Sequence, residues 1–324
     1  MKIYISQNNQ ELGPYSPEEV RELVYKGEVQ HSAMARSEVG ADWAPIDTIL
    51  GRSDLPPATS APPTIPMSIE RLRDPKEKTA LTLLYVAAVP GGLLLTAWTV
   101  ASFGIVLLVM AFVALLVLIG ELWFSAYVRT NAVRVSETQL PDLFKVVQSC
   151  CERLGMSQPE VYIMQQNVWN AFATKALNRR MVVLLSGAVD SILLKGDMQQ
   201  IAFLVGHELG HHRAGHLDFS RKLADLGDWC IWLKLWYSRR AEFTCDRMGL
   251  FCSGSLKASQ LAIINATVGA QLASKVDLNE AAAQWHQYER EFFVRYRTFY
   301  ATHPHLLARV DYLAKAATEL GVFR

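Results

Sequence analysis

The sequence predicts an α+β protein that is mostly α: a small N-terminal α+β domain, a two-helix membrane hairpin, and a mainly helical C-terminal domain with a small sheet. Three observations support this organisation. Residues 79–120 contain no charged side chain, residues 52–68 are rich in proline, and from Asp197 onward the apolar residues follow helical spacing almost throughout. The predicted parts are residues 1–51, a linker at 52–68, the hairpin at 79–127 and the C-terminal domain at 129–324.

Composition narrows the classes of partner. With 32 Lys and Arg against 31 Asp and Glu, the net charge is +1, so no nucleic-acid partner is expected. The 5 cysteines are odd in number and lack metal-type spacing, which favours free thiols in a reducing compartment. The short apolar run at the N-terminus does not have the pattern of a secretory signal.

The N-terminal domain carries two β-rich runs and one helix signal. Strands are predicted at 2–6 and 33–37. Ser16 and Glu19 have the spacing of a capping box, so a helix should begin there and run to about Lys26.

Three features of this domain resemble the GYF-like domains of bacterial membrane proteins: Gly13-Pro14-Tyr15, the amphipathic helix and Ala41-Asp42-Trp43. The resemblance implies a module that binds a proline-rich peptide on an aromatic surface. The alternative is that Tyr4, Tyr15 and Trp43 simply fill a very small core.

The uncharged stretch is too long for one membrane crossing. As a single helix, residues 79–120 would extend about 60 Å, roughly twice the ~30 Å hydrocarbon core. Two spans near 79–99 and 102–126, joined by a turn around 99–103, are therefore expected, with a kink at Pro90.

Charges beside the spans predict their orientation. The turn carries no basic residue, whereas both outer ends do, which places both soluble domains in the cytoplasm and the chain in the inner or plasma membrane as a multi-pass protein. The flanking basic residues are Arg71, Arg73, Lys76, Lys78, Arg129 and Arg134.

The C-terminal domain begins with a helix and two short strands. A helix is predicted at 141–154 and strands at 160–164 and 181–185, and the remainder is helical.

The sequence His207-Glu208-Leu209-Gly210-His211 predicts a catalytic metal site. On a helix, His207 and His211 are one turn apart on the same face, a spacing that suits two ligands of a tetrahedral zinc ion. Glu208 is then angled toward the position of a metal-activated water, where it can act as general base.

Two patterns could supply a third ligand. The metzincin pattern requires Gly at 214 and His at 217, but Ala214 and Leu217 occupy these positions and His216 misses by one residue. His212 and His216 are therefore expected to be structural or solvent-facing. The second pattern uses a glutamate on a later helix followed by an acidic residue four positions on.

Glu242 and Asp246 match that second pattern. Glu242 would complete a site of two histidines and one glutamate, binding one Zn²⁺ per chain, and Asp246 would accept a hydrogen bond from a ligand imidazole.

Together these residues resemble the HtpX-like and CAAX-prenyl-protease group of membrane gluzincins. The resemblance covers roughly residues 129–317 and includes Asn170-Ala171-Phe172-Ala173-Thr174 and His303-Pro304 with Arg309. It implies that Asn170 positions substrate or stabilises the site, and that His303 and Arg309 contact substrate or an oxyanion near the metal. It also implies zinc-dependent endopeptidase activity.

The sequence departs from that group in one respect. HtpX-like proteins usually have further membrane spans after the motif helix, but residues 229–237 are too few to cross and contain Lys234. They are expected at the membrane interface or in the wall of a substrate groove.

The sequence therefore predicts a membrane-anchored zinc endopeptidase acting on polypeptides, membrane proteins among them, beside the lipid bilayer. The alternative function is a membrane-tethered, peptide-binding adaptor in which the zinc domain is structural. Glu208 distinguishes the two, since a structural zinc site needs no general base.

Overall fold

A computed structural model describes residues 2–7, 10–17, 19–20, 23, 29, 33–38, 43–50, 67–165, 171–177, 179–193 and 197–322. The predicted fold class is confirmed: the described chain is mostly helical, with small sheets, two long apolar helices and a small N-terminal α+β region. It forms two compact units, Met1–Ile65 and Pro66–Arg324.

The N-terminal unit contains an antiparallel sheet of order β2-β1-β3-β4. The strands are β1 (Ile3–Gln7), β2 (Gln10–Tyr15), β3 (Met34–Ser37) and β4 (Ala44–Pro45), followed by helix α1 (Ile46–Leu50). The capping box is present: the Ser16 N–H donates to Glu19 Oε2 at 2.7 Å, and the Glu19 N–H donates to Ser16 Oγ at 3.2 Å. The expected helix end at Lys26 lies outside the described residues.

Two aromatic rings of this unit, those of Tyr4 and Trp43, contact one arginine. The Arg36 guanidinium lies 4.9 Å from the centre of the Tyr4 ring and 5.6 Å from that of Trp43, and it also pairs with Glu11. Trp43 is 37% exposed. The buried core is supplied by aliphatic side chains, Ile3, Ile5, Val20, Ala35 and Ile46 among them.

The second unit begins with the helical hairpin. A short helix α2 (Ile69–Leu72) precedes α3 (Pro75–Ala101), which continues through Pro90, and α4 (Ile105–Asn131) follows. Each long helix has 27 residues, about 40 Å, and is apolar enough to cross a membrane.

The small sheet of this unit has the order β5-β6-β8-β7. Its strands are β5 (Val133–Arg134), β6 (Glu160–Met164), β7 (Ala171–Ala176) and β8 (Arg179–Leu185). β6 and β8 are parallel and the other pairs antiparallel. The sequence prediction did not include β7, which forms an edge of the described sheet.

Helices surround this sheet: α5 (Pro141–Leu154), α6 (Ser186–Leu193), α7 (Met198–Arg213), α8 (Phe219–Leu223), α9 (Ile231–Ser253), α10 (Leu256–Val268), α11 (Ala270–Ala273), α12 (Leu278–Tyr288), α13 (Phe292–Tyr300) and α14 (Leu306–Leu320). A 3₁₀ turn, Ala224–Gly227, lies between α8 and α9.

Helices α7 and α9 pack in direct contact, which brings the motif histidines next to Glu242. A Cβ at Gly206 would lie 2.6 Å from the Cβ of Cys252, so only glycine allows this approach. The cysteines of the chain are free, as predicted.

The start of the hairpin is fixed to the helical core by hydrogen bonds. Arg247 on α9 donates to the carbonyls of Leu72 and Arg71, at 3.0 Å each. The Tyr312 hydroxyl on α14 donates to Asp74 Oδ2 at 2.6 Å. The entry to α3 is therefore part of the folded domain rather than a free tether.

The segment between α8 and α9 packs along α3. Trp229 Nε1 donates to the Ala87 carbonyl at 2.8 Å, and Leu84 packs with Tyr237 in a buried cluster. One end of residues 229–237 thus contacts a membrane helix, and Tyr237, at the other end, lines a cavity beside the motif helix.

Candidate metal centre

Three side chains converge where α7 faces α9. His207 Nε2 lies 3.5 Å from Glu242 Oε2, and His211 Nε2 lies 3.7 Å from Glu242 Oε1. Ligand atoms about 2.0–2.1 Å from a tetrahedral zinc ion are about 3.3 Å apart. The predicted ligand set therefore has nearly the spacing that zinc requires.

Asp246 and Arg309 lie behind His207. The Asp246 carboxylate, fully buried on α9, is 3.0 Å from His207 Nδ1. Arg309 on α14 donates to both of its oxygens, at 2.6 and 2.8 Å. Because Asp246 accepts from Nδ1, the His207 Nε2 lone pair is directed toward Glu242.

The electrostatics of the centre favour a cation between the ligands. Burial opposes protonation of His207, yet the carboxylates of Asp246 and Glu242 outweigh it and raise its pKa to about 10. Burial also opposes ionisation of Glu242, but hydrogen bonding to His207 holds its pKa below the usual range. Burial, together with the charge on His207, lowers the pKa of His211 to about 3. In the metal-free protein His207 therefore holds a proton between two carboxylates, and a divalent metal ion bound there would replace that proton.

Glu208 lies in the same cavity and binds none of the ligand side chains. It is buried, and desolvation raises the pKa of its carboxyl to about 7. A backbone hydrogen bond with Ala173 holds it beside the edge strand β7. A carboxyl of this pKa can both accept and release a proton near neutral pH.

The cavity has a volume of about 560 Å³ and opens toward the solvent. It is lined by β7, α7, α9 and the loop before α14. Its chemistry-bearing lining residues are His207, Glu208, His211, Glu242, His303 and Arg309.

The residues assigned by resemblance differ in their placement. His303 Nε2 lies 3.5 Å from Glu242 Oε1, and its side chain is 69% exposed, so it borders the open face. The guanidinium of Arg309 is engaged by Asp246, although it also borders the cavity. Asn170 lies outside the described residues. The roles of all three stay predictions.

Cys245 could be considered as a third ligand, since its sulfur and the two histidines lie within 4.8 Å of one another. Its thiol, however, packs against Gly210 between the helices and does not line the cavity. Burial and the surrounding carboxylates raise the pKa of this thiol well above its usual range, whereas zinc binds the thiolate. Glu242 is the better ligand on both counts.

His216 was expected to be structural or solvent-facing, and the structure gives it a specific contact. Helix α7 ends in a Schellman motif: the His216 N–H donates to the His211 carbonyl at 3.0 Å, and Gly215 adopts φ +78°. This turn brings His216 Nδ1 to 3.2 Å from His211 Nδ1. The spacing of the motif could not predict this contact. The sequence signal for it is Gly215, because a glycine just after a helix is typical of the turn that places His216 beside His211.

Comparison with known proteins shows which sequences this chain resembles. Residues 137–227 match peptidase family M48, and residues 4–50 match GYF domain 2. The chain is 22% identical over 233 residues to a protease HtpX homolog of Thermococcus kodakarensis, covering 60% of this chain and 79% of the relative. The resemblance to the HtpX-like membrane zinc metallopeptidases is confirmed.

Further relatives extend the same result. The chain is 23% identical over 245 residues to a protease HtpX homolog of Pyrococcus furiosus, covering 62% of this chain and 83% of the relative. It is 24% identical over 177 residues to a plastoglobule-localized metallopeptidase 48 of Arabidopsis thaliana, covering 49% and 50%. No solved structure matches. The family match and the names of these relatives support a membrane metalloprotease. The M48 match ends at residue 227 and therefore does not include Glu242.

Proposed function

We propose that this HtpX-like chain is a membrane-anchored, zinc-dependent endopeptidase whose general base is Glu208. The observation that carries the proposal is the convergence of His207, His211 and Glu242 at ligand spacing, with Glu208 in the same cavity. A structural zinc site would not need an ionisable carboxyl beside an accessible cavity.

A bound zinc ion lowers the pKa of a water molecule and polarises the scissile carbonyl. Glu208 would accept a proton from that water and deliver it to the leaving amine, a role that suits a carboxyl whose pKa burial raises to about 7. Asp246 fixes the tautomer of His207, and Arg309 compensates the buried charge of Asp246. His303, which borders the open face, is placed to contact substrate.

The edge strand β7 is the proposed docking site for substrate. Phe172 and Ala173 line the cavity, and β7 pairs with β8 on one side only among the described strands. An extended polypeptide added along this edge would pass beside Glu208. We propose unfolded or membrane-proximal polypeptides as the substrate class.

The hairpin supports a multi-pass membrane location with both soluble units cytoplasmic, as the flanking basic residues predict. The N-terminal unit supports binding of a proline-rich peptide, because the rings of Tyr4 and Trp43 both contact Arg36 and Trp43 is 37% exposed.

The direct test compares wild type, Glu208→Gln and Glu137→Gln in detergent, measuring bound zinc and casein cleavage. Glu137 is an exposed glutamate away from the cavity and serves as the matched control. Zinc content should be equal in all three proteins. Cleavage by Glu208→Gln should fall about 10²–10⁴-fold, while Glu137→Gln keeps full activity.

Other outcomes have definite meanings. Unchanged cleavage by Glu208→Gln would remove the residue from its assigned role. A zinc-loaded wild type that cleaves nothing would instead support the adaptor, whose zinc is structural.

A further inference from the structure

A chain of hydrogen bonds leads from the metal centre to the first membrane helix. His211 Nδ1, on the side of the ring away from Glu242, lies 3.2 Å from His216 Nδ1. His216 Nε2 lies 3.2 Å from Glu77 Oε1, and Glu77 is fully buried in the first turn of α3. Helix α3 thus contributes a carboxylate two residues removed from the metal position.

The protons in this chain follow from one condition, that His211 binds metal through Nε2. Its Nδ1 then carries the hydrogen and donates to His216 Nδ1, which must accept. His216 therefore carries its own hydrogen on Nε2 and donates to Glu77. Each ring nitrogen of the two histidines then has one role. The Cys245 thiol lies 3.7 Å from His216 Nδ1, a longer contact than the 3.2 Å to His211 Nδ1.

Glu77 is itself held in place from three directions. Arg73 pairs with one of its oxygens, and the Thr244 hydroxyl donates to the other. The Asp74 N–H in turn donates to Thr244 Oγ1 at 2.8 Å. Glu77 therefore shares two features with Asp246: each is a buried carboxylate that pairs with an arginine and accepts a hydrogen bond from a histidine.

We propose that Glu77 and His216 are positioning residues for His211, so that zinc binding depends on the docking of the first membrane helix onto the peptidase domain. Each ligand histidine then has a carboxylate behind it, Asp246 directly for His207 and Glu77 through His216 for His211. The inference rests on the proposed metal centre, and its readout is zinc affinity rather than cleavage.

The test uses the full chain in detergent and measures zinc affinity by chelator competition. His216→Leu breaks the chain, whereas His216→Gln can accept from His211 and donate to Glu77 through its amide. His212→Leu is the matched control, since His212 is buried next to His211 on α7 and, among the described residues, bonds to the Met181 carbonyl alone, at 3.1 Å.

His216→Leu and Glu77→Ala should weaken zinc binding about 10–100-fold, His216→Gln should recover most of the loss, and His212→Leu should stay near wild type. The double variant His216→Leu with Glu77→Ala should lose no more than either single variant. The idea is overturned if His216→Leu binds zinc as wild type does, or if His212→Leu loses as much. Because His216→Gln keeps the donor and acceptor, its recovery is the decisive result even where His216→Leu folds poorly.

A separate observation concerns the depth of the segment between α8 and α9. Trp229 bonds to Ala87, and the Leu226 carbonyl lies against Gly91. From Ala87 to Ala101, where α3 ends, the helix rises only about 21 Å, and from Gly91 about 15 Å. The hydrocarbon layer is about 30 Å thick. A hairpin whose turn reaches the far edge of the layer therefore carries this segment about 10–15 Å into it.

Exposed aromatic side chains continue from that segment onto α13, where the rings of Trp232 and Phe299 are 6.2 Å apart. We also infer that this surface lies in the acyl and headgroup boundary of the bilayer, so that the peptidase domain rests on lipid beside its hairpin. The exposed members are Phe219, Trp229, Trp232, Phe292, Phe293 and Tyr296.

The test places a fluorescent probe on a cysteine at 293 or, as control, at 315, in a Cys230→Ser background. Position 293 is 78% exposed on α13, and Lys315 is exposed on α14. In phosphatidylcholine vesicles containing brominated lipid, the probe at 293 should be quenched severalfold more than that at 315. Equal quenching at the two positions, or none at 293, would overturn the inference; unchanged zinc content establishes that the labelled proteins are folded.

Discussion

Asp246 is the residue whose change separates folding from metal binding. Its buried carboxylate accepts from His207 Nδ1 at 3.0 Å and from Arg309 at 2.6 and 2.8 Å. Asp246→Asn keeps the volume of the side chain but removes its charge. The Arg309 guanidinium, which is nearly buried, then loses its carboxylate partner. Breaking a buried pair in this way costs about 3–5 kcal/mol.

The same change should weaken zinc binding. Loss of a carboxylate behind a ligand histidine typically costs 10–100-fold in metal affinity, which corresponds to about 1.4–2.7 kcal/mol. A second variant removes both charges, Asp246→Asn with Arg309→Met. It should regain much of the lost unfolding free energy, because no uncompensated cation remains, while zinc affinity stays low.

The assays are chemical unfolding of the metal-free protein and chelator competition for zinc. Asp142→Asn is the control, since its carboxylate is exposed and 3.8 Å from Lys145, and both quantities should stay near wild type. The reasoning is refuted if Asp246→Asn unfolds within 1 kcal/mol of wild type and binds zinc within about threefold.

Three further outcomes are expected. The pKa of the Glu208 carboxyl is about 7 in the metal-free protein, and a bound cation lowers it. Because the general base must be deprotonated, kcat/KM should fall tenfold per pH unit on the acid side, with a midpoint below 7. A rate that rises on acidification would contradict this. Gly206→Ala places a methyl 2.6 Å from Cys252 Cβ and should lower the free energy of unfolding by about 1–3 kcal/mol. Gly120→Ala is the control, because a Cβ there meets nothing within 4 Å, and it should change stability little. Equal melting temperatures of the two variants would refute the close-contact argument. Trp43→Ala in the full chain should weaken binding of a proline-rich peptide about tenfold or more by fluorescence titration, and unchanged affinity would exclude the aromatic surface.

Local signals predicted some elements to the residue. Helix α5 has the predicted bounds because Pro141 begins it and Gly155, at φ +60°, ends it. Strand β6 also has the predicted bounds, and it is rich in apolar residues. Strand β7 was missed, because half of Ala171–Ala176 is alanine, which is uncommon in strands, and the segment pairs with β8 along its length.

The site divides in the same way. His207, Glu208 and His211 follow from spacing on one helix, and Glu242 with Asp246 from spacing on another. The contact of His216 with Glu77 joins residues 139 positions apart, so no local pattern predicts it. In the sequence, Glu77 stands among the basic residues before the hairpin and has no pattern that predicts burial. Its burial is seen only in the structure.

The attachment of α3 to the core has a consequence for where substrates are cut. Arg247 and Tyr312 bond to the residues just before α3, so the peptidase domain cannot swing on its anchor. The cavity then stays at a constant height above the membrane surface. A substrate that is itself anchored in the bilayer would be cleaved at a set number of residues from its own membrane segment, and insertion of a spacer should move the cut along the chain rather than abolish it.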